Sequence, residues 1–419
     1  MDDHSRTLVE FDEGYSSREV AKLDAAFQAW HRGLIEQNPE KVLKTEGIRP
    51  TLRDEYRFVR KYFHPLWSWY VLALRLLSGR HPLKELAAFW SQHKVGRMDL
   101  YSRVYPHEAA WEAFDSPLLR QAPLVTVVIP TLNRYPYLKN VLHDLEKQTY
   151  SNFEVIVVDQ SEPFRPEFYK EFRLNLQVVR QQEKALWLAR NTAIKMAHGE
   201  IIAFTEDDVG FEKSWLENHI KCLDFFNAEI STGVFYPANK SLPKAKSFFK
   251  WGEQFATGNA CVRKTVFESI GLFDRQFEKQ RMGDGEFGLR AYISGFKIIS
   301  NPYSSCLDFK ASSGGLRQMG SWDGFRSKSW LSPRPVPSVL YLCRRYFGNQ
   351  AAIYLLLKEV PPSLVSYRFK RDKRMLLLGP PLALLLIPLV LWQVVRAWDI
   401  STKMLAIGPR IYINQSCVS

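Results

Sequence analysis

The sequence predicts an α/β fold built around a parallel sheet, and three observations carry that prediction. First, Val125-Thr-Val-Val-Ile129 and Glu154-Val-Ile-Val-Val158 are short β-branched apolar runs, of the kind buried on both faces of a parallel sheet. Second, Tyr137 to Gln148 between them sets Leu138, Val141, Leu142 and Leu145 at helical spacing, giving the strand, helix, strand order of a right-handed crossover. Third, polar residues gather where these apolar runs end, and ligands of open α/β sheets bind outside the carboxyl ends of the strands.

Taken in order, the first strand runs into Pro130-Thr131-Leu132-Asn133-Arg134, and the second ends in Asp159. A third apolar run, Ile201-Ile-Ala-Phe204, ends in Thr205-Glu206-Asp207-Asp208. Adjacent carboxylates at the end of a buried strand repel one another unless a cation lies among them, so this cluster points to a divalent metal and a metal-bound phosphate. A helix-capping acid cluster before Trp215 is the plainer alternative.

Residues 1–115 read as helical, with periodic charged and aromatic segments at Arg18 to Gln37, Thr51 to Leu77 and Pro82 to His93. Trp67, Trp69 and Tyr70 lie in its most apolar stretch, with two readings open: packing against the next domain, or a membrane interface. Ser116-Pro-Leu-Leu-Arg-Gln-Ala-Pro123 is a linker, and the α/β domain is placed at 122–330. After Ser332-Pro-Arg-Pro-Val-Pro337, the region 331–419 reads as a helical appendage with one helix beginning near Ser338 and another near Gln350. Within it, Met375 to Val395 is 21 residues without a formal charge, preceded by Arg368, Lys370, Arg371, Lys373 and Arg374. That length suffices for a spanning helix with its basic flank on the cytoplasmic side. Gly379-Pro380-Pro381 and Pro388 argue equally for a re-entrant or surface-lying segment.

At 419 residues the chain is long enough for two or three structural units. Its net charge of +13 favours an anionic partner such as a nucleotide or an acidic lipid surface. Nucleic acid is disfavoured, because no zinc-finger spacing or RNA-binding aromatic motif is present. Cys222, Cys261, Cys306, Cys343 and Cys417 are scattered, odd in number and without a C-x-x-C pair, which fits a reducing compartment. The polar start Met1-Asp-Asp-His-Ser-Arg6 does not resemble a secretory signal, so the chemistry is expected on the cytoplasmic face of a membrane.

Five motifs in order, Val127-Val-Ile-Pro-Thr-Leu-Asn-Arg134, Val157-Val-Asp-Gln160, Ala189-Arg-Asn191, Phe204-Thr-Glu-Asp-Asp-Val209 and Gly283-Asp-Gly-Glu-Phe-Gly-Leu-Arg290, resemble the family 2 glycosyltransferases of the GT-A fold. The resemblance covers about residues 124–318. It implies a Rossmann-like mixed sheet and a nucleotide-sugar donor, UDP-, GDP- or dTDP-linked. By the same resemblance, Pro130, Thr131, Asn133, Arg134 and Asp159 would hold base and ribose, and Arg190 would face the nucleotide while Asn191 fixes a loop. Glu206-Asp207-Asp208 matches the Asp-x-Asp motif with Glu in first place. Glu206 and Asp207 would face ribose and metal-bound water, and Asp208 would ligate Mn²⁺ or Mg²⁺. Read alone, Asn133 is equally a turn or capping residue, Asp159 has a cap as its alternative although its place after a buried strand favours ligand contact, and Arg190 is a solvated helix cation.

Asp284 and Glu286 stand where the family has its catalytic Glu-Asp pair. The family's leading Glu is Gly283 here, so Asp284 is the candidate general base, with Glu286 binding the acceptor or orienting the site. The rival reading of the pair is a solvated helix start. Thr257-Gly258-Asn259-Ala260 matches a loop lining the cleft, where Gly258 permits close backbone approach. Relatives place a metal-binding His at Asp308; Asp308 is either a substitute oxygen ligand or structural. Lys310 and Arg317, flanking Gly314-Gly315, would close over a diphosphate.

The resemblance thus implies an inverting, non-processive transferase acting on a glycan or lipid-linked acceptor, since Gln318-Met-Gly-Ser-Trp322 lacks the Arg of processive synthases. A nucleotide-sugar pyrophosphorylase or a dinucleotide oxidoreductase would need a Gly-rich loop where Pro130-Thr131-Leu132 stands. A catalytically silent glycan-binding scaffold of the same fold is the remaining rival.

Overall fold

The computed structural model of the protein describes residues 8–35, 47–237, 241–252, 255–311, 314–315, 323–326, 329–369, 375 and 378–412. Among the described residues six helices precede the sheet: α1 (Arg18–His31), α2 (Leu52–Tyr62), α3 (Leu66–Leu77), α4 (Pro82–Ser91), α5 (Glu108–Ala113) and α6 (Pro117–Gln121). The expected Thr51 to Leu77 segment is two helices, because Pro65 cannot donate a backbone hydrogen bond and restarts the chain as the N-cap of α3. Thr51 and Asp54 form a reciprocal capping box that starts α2.

The α/β domain follows as β1 (Val125–Thr131), α7 (Tyr135–Glu146), β2 (Phe153–Asp159), β3 (Leu176–Arg180), α8 (Leu186–Met196), β4 (Ile201–Thr205) and β5 (Val209–Phe211). It continues through α9 (Trp215–Phe225), β6 (Ile230–Pro237), β7 (Lys250–Trp251), β8 (Asn259–Arg263), α10 (Lys264–Ile270), α11 (Gly283–Ile293) and β9 (Ile298–Asp308). Among the described residues the sheet has nine strands in the order β3-β2-β1-β4-β8-β6-β9-β5, with β7 paired to β9. Strands β1 to β4 are mutually parallel where they pair; β8 then joins β4 antiparallel, making the sheet mixed. This is the mixed sheet that the resemblance implied.

All seven residues of β1 are buried, as a central strand covered on both faces requires. Val125, Val127 and Ile129 face α7 and α9, whose Leu138, Val141, Leu142, Leu145, Leu216 and Ile220 complete that core. Val128, Ile156, Val158, Ile202 and Phe204 face the other side, where α8, α10 and α11 pack. The period of two along each strand therefore divides the domain into its two hydrophobic layers.

The C-terminal helices are α12 (Pro337–Ser363), α13 (Gly379–Leu385) and α14 (Ile387–Ile407). Gly348, with φ +82°, breaks α12 into the two segments the sequence predicts. The region is no appendage: Tyr341, Leu342 and Met404 belong to the same core as Phe204 and Phe287. The uncharged run is not one helix either. Pro388 begins α14, which meets α13 at 95°, and no single described helix is long and apolar enough to cross a membrane. Lys370, Arg371, Lys373 and Arg374 of the basic flank lie outside the described residues. The thiols of Cys222, Cys261, Cys306 and Cys343 are buried and unpaired; Cys417 lies outside the described residues.

Candidate active site

Parallel pairing sets Thr131 of β1 beside Asp159 of β2 and Val128 beside Phe204 of β4, so the loops after these strands open along one edge of the sheet. There a cleft of about 300 Å³ is lined by Pro130, Arg134, Arg190, Glu206, Asp207 and Asp284 among others. Lys184, Trp187, Glu278, Lys279, Arg281 and Met282 complete its charged and apolar walls.

The acid cluster after β4 is wired to the loop after β1. Thr131 Oγ1 donates to Asp207 Oδ2 at 2.8 Å and Arg134 Nη1 donates to Asp207 Oδ1 at 2.9 Å. The same Arg134 nitrogen lies 3.1 Å from Asp208 Oδ2, which also accepts from the Ala311 N–H at 3.1 Å. Burial pushes the Asp207 carboxyl up to about 6; the Arg134 charge opposes that rise and the neighbouring Asp208 adds to it. Burial alone would lower the Arg134 pKa, but Asp207 and Asp208 outweigh it and the net shift is upward.

Asp208 Oδ1 is buried with no hydrogen-bond partner among the described residues. A buried carboxylate oxygen left unsatisfied is costly, by about 1–3 kcal/mol or more, and a cation would relieve it. These residues therefore fit a divalent metal. Among the described residues no three His, Cys, Asp or Glu side chains converge as ligands. The fit is thus to an ion held by one or two carboxylates with substrate phosphate and water completing its shell, as Mg²⁺ is commonly held. Asp308, the last residue of β9, pairs with Val209 next to Asp208. Its Oδ1 accepts from the Lys310 N–H at 2.9 Å, so the carboxylate shapes a local turn.

Arg190 is almost wholly buried; its Nη2 donates to Thr257 O at 3.3 Å and its guanidinium lies 5.2 Å from the Trp187 ring centroid. Its Nε is buried without a partner among the described residues, and burial lowers its pKa against the pull of Glu206 and Asp284. A desolvated guanidinium in a cleft is a receptor for an anion. Asn191 fixes a loop as expected, its Nδ2 donating to Phe273 O at 2.9 Å and its Oδ1 accepting from the Phe273 N–H at 3.0 Å. Ala185, directly before α8, has φ −148°, which any residue adopts.

Several predicted residues stand behind the cleft. Asp159 is 0% exposed: its Oδ2 accepts from the hydroxyls of Tyr135 and Tyr169, each at 2.7 Å, and its Oδ1 from the Ser161 N–H at 2.8 Å. So placed, it braces the loop and does not present an oxygen to a base. Asn133, with φ +55°, donates its N–H to Ser161 Oγ at 2.7 Å and accepts from the Glu162 N–H at 2.9 Å, the behaviour of a turn residue. Gly258 is needed for a close approach, but to the Glu206 side chain and Phe235, each of which a Cβ would meet at 2.7 Å.

The candidate catalytic pair separates in the same way. Asp284, in the first turn of α11, lines the cleft and its Oδ1 accepts from the Gly285 N–H at 2.8 Å. Glu286 does not reach the cleft. It is 0% exposed, held by Arg290 at 3.0 and 3.1 Å and by the Tyr346 hydroxyl of α12 at 2.6 Å. A carboxylate so saturated positions α11 and has no free edge for an acceptor. Gly283 also finds its reason: a Cβ there would lie 2.4 Å from Trp187 Cε2, so the indole fills the space a side chain would take.

The segment Glu278-Lys-Gln-Arg-Met282 was not singled out from the sequence, although four of its residues beside Gln280 wall the cleft. Glu278 also caps α8, accepting from the N–H groups of Trp187 at 3.2 Å and Leu188 at 3.1 Å. Its signal was available as a charged run directly before Gly283-Asp284. Arg317 of the proposed basic loop and the Gln318 to Trp322 stretch lie outside the described residues.

Residues 126–277 match the family model described as glycosyl transferase family 2. The glycosyltransferase GlyA of Streptococcus pneumoniae is 28% identical over 162 residues, 38% of this chain and 22% of that protein. The glycosyltransferase AglE of Haloferax volcanii is 27% identical over 195 residues, 42% of this chain and 64% of its own. The O-antigen biosynthesis protein RfbC of Myxococcus xanthus is 25% identical over 260 residues, 52% of this chain and 20% of that protein. The chain thus spans less than two thirds of the length of each of these relatives. A mannosyltransferase from Pyrobaculum calidifontis, solved with GDP-Man and Mn²⁺, aligns with a TM-score of 0.45 at 20% identity, covering 72% of this chain and 92% of that one. With its mixed sheet and its acid cluster after β4, the α/β domain of this chain is thus similar to glycosyl transferase family 2 over residues 126–277.

Proposed function

We propose that the chain is an inverting, metal-dependent glycosyltransferase that moves one sugar from a nucleotide-sugar to a hydroxyl of a glycan or lipid-linked acceptor in cell-surface polysaccharide biosynthesis. The observation that carries this reading is the single cleft in which Arg134, Arg190, Glu206, Asp207 and Asp284 meet at the carboxyl edge of the sheet. Asp208 would hold Mn²⁺ or Mg²⁺, with Glu206 and Asp207 facing ribose and metal-bound water. When bound, the ion offsets negative charge on the departing diphosphate. Arg190 and Arg134 bind the same anion through guanidinium donors. Asp284 takes the proton of the acceptor hydroxyl as its oxygen bonds to the anomeric carbon. The bond from that carbon to the diphosphate breaks on the opposite face, and direct displacement inverts the configuration. Trp187 and Met282 exclude water from one wall of the cleft.

The name of one relative, an O-antigen biosynthesis protein, supports a cell-surface product. We place the chain peripherally on the cytoplasmic face of a membrane, on the strength of Leu384, Leu385, Leu391 and Val395, all exposed around the α13–α14 bend. The silent-scaffold reading draws on Gly283, which stands in place of the leading acid of the family's catalytic pair and leaves Asp284 as that pair's one carboxylate in the cleft.

Turnover separates the two. Purified protein is offered UDP-, GDP- and dTDP-sugars with an acceptor extract, with Mn²⁺ or with chelator. The expected result is nucleoside diphosphate release from one donor, abolished by chelator and by Asp208→Ala. Donor binding without release under every acceptor condition overturns the enzyme in favour of the scaffold.

A further inference from the structure

Met282 belongs to two concavities at once. It lines the polar cleft two residues before Asp284, and it also lines a groove of about 480 Å³ between α3 and α12. The groove is walled by Leu74 of α3 and by Leu342, Phe347, Ala351 and Leu355 of α12. Lys358 is its one charged wall residue, and the hydroxyl of Tyr70, also in its wall, is buried with no hydrogen-bond partner among the described residues. An apolar trough that shares a wall residue with a polar, acid-bearing cleft is shaped for a ligand with a greasy end and a charged end.

We propose that this groove receives the hydrocarbon chain of a lipid-linked acceptor whose sugar or phosphate head reaches Asp284; the inference rests on the glycosyltransferase reading of the cleft. Two observations select this occupant over a free glycan or a peptide. The ridge between groove and cleft is cationic, because Lys279 and Arg281 precede Met282 in the cleft wall, and a lipid-linked acceptor carries its phosphate between chain and sugar. The ridge is also held in an unfavourable backbone form, with φ +57° at Lys279 and +76° at Met282, neither of them glycine. Strain of that kind is retained where it shapes a site. Outward from the groove, Leu66, Trp67 and Trp69 of α3 and Ile353 and Leu357 of α12 are exposed. Lys358 Nζ lies 5.1 Å over the Trp67 ring. Aromatic rings beside a lysine are what the headgroup layer of a bilayer accepts, so a chain could pass from the membrane into the groove without crossing water.

The test uses the full-length protein in dodecyl maltoside and a geranylgeranyl diphosphate bearing a diazirine. The expected result is photocrosslinking to peptides from α3 and α12, displaced by unlabelled geranylgeranyl diphosphate and reduced at least fivefold in Ala351→Trp, which fills the groove. Leu355→Trp is the second filling variant, and melting temperature identifies either one that has lost its fold. Equal labelling of a folded filling variant and wild type overturns the proposal, as do crosslinks confined to α13 and α14 or joining two copies of the chain. Nucleotide-sugar binding is measured on the same samples by calorimetry. Absence of groove labelling in the wild type, with donor binding kept, sinks the groove alone. Groove labelling kept with no donor bound leaves a lipid site and overturns the acceptor assignment through the reading on which it rests.

Discussion

Gly283 and Trp187 occupy one space between them, since any Cβ on the glycine would sit 2.4 Å from the indole. Gly283→Glu, which restores the acid of the family pattern, is therefore expected to destabilise the protein by about 1–3 kcal/mol through overpacking. In a urea titration the double variant with Trp187→Ala should recover part of that loss, since residues in contact couple by about 0.5–3 kcal/mol. Simple additivity would show that the two do not compete. Asp284→Asn removes the one carboxylate of the pair that faces the cleft. Its expected signature is a fall in kcat of about 10²–10⁴-fold with donor binding unchanged, and an equal fall in Glu286→Gln at constant stability would contradict the division of labour drawn here. Arg134, Arg190 and Asp284 were legible through the family resemblance, since Arg190 and Asp284 read alone as solvated helix residues. Burial was not: nothing in the residue names shows that two tyrosines would close over Asp159, or that Tyr346 would reach Glu286 from 60 residues away.

At the scale of elements, α9 is anchored to β8 through His219, whose ring nitrogens pair with Ser231 Oγ at 2.8 Å and Asn259 Oδ1 at 3.0 Å. Burial depresses its pKa to about 4, from an ordinary 6.5, with the Asn259 hydrogen bond opposing. The folded protein thus resists a proton that the unfolded chain accepts. Its contribution to stability is complete above pH 6.5 and declines as pH falls toward 4. The loss amounts to about 3 kcal/mol over that window at 1.36 kcal/mol per unit. His219→Asn should lose that much less between pH 7 and pH 4 in chemical denaturation; a parallel decline would assign the acid sensitivity elsewhere. The strands and α7 were readable from sequence because β-branched runs and i, i+3, i+4 spacing report burial directly. Pro65 was readable as a breaker in principle, yet the apolar pattern running through it masked the division of α2 from α3.

At the scale of the molecule, the C-terminal helices complete the α/β core. Tyr341 and Arg345 of α12 bond Asp274 at 3.1 and 3.3 Å, and Gln276 donates to Met404 O of α14 at 2.8 Å. Deletion from residue 337 onward is therefore expected to yield insoluble or molten protein, read as loss of a cooperative thermal transition; a sharply melting truncated domain would refute this. Membrane attachment is accordingly tested on the whole chain. Leu385→Asp with Trp392→Asp should abolish flotation with anionic vesicles while preserving the melting temperature. Flotation unchanged would remove the α13–α14 bend as the attachment surface. That the C-terminal region shares a core could not be read from its sequence, since an apolar face does not name what it packs against.

The bond from Tyr346 to Glu286 also bears on how such enzymes are recombined. The family match ends at Phe277, seven positions short of Asp284 and well before α12. A chimera spliced at that boundary would inherit the residues proposed to grip the donor, but the proposed base would arrive on a helix whose clamp belongs to the other parent. Productive exchange of specificity in this scaffold requires that α11 and α12 travel together, as one inheritable cassette.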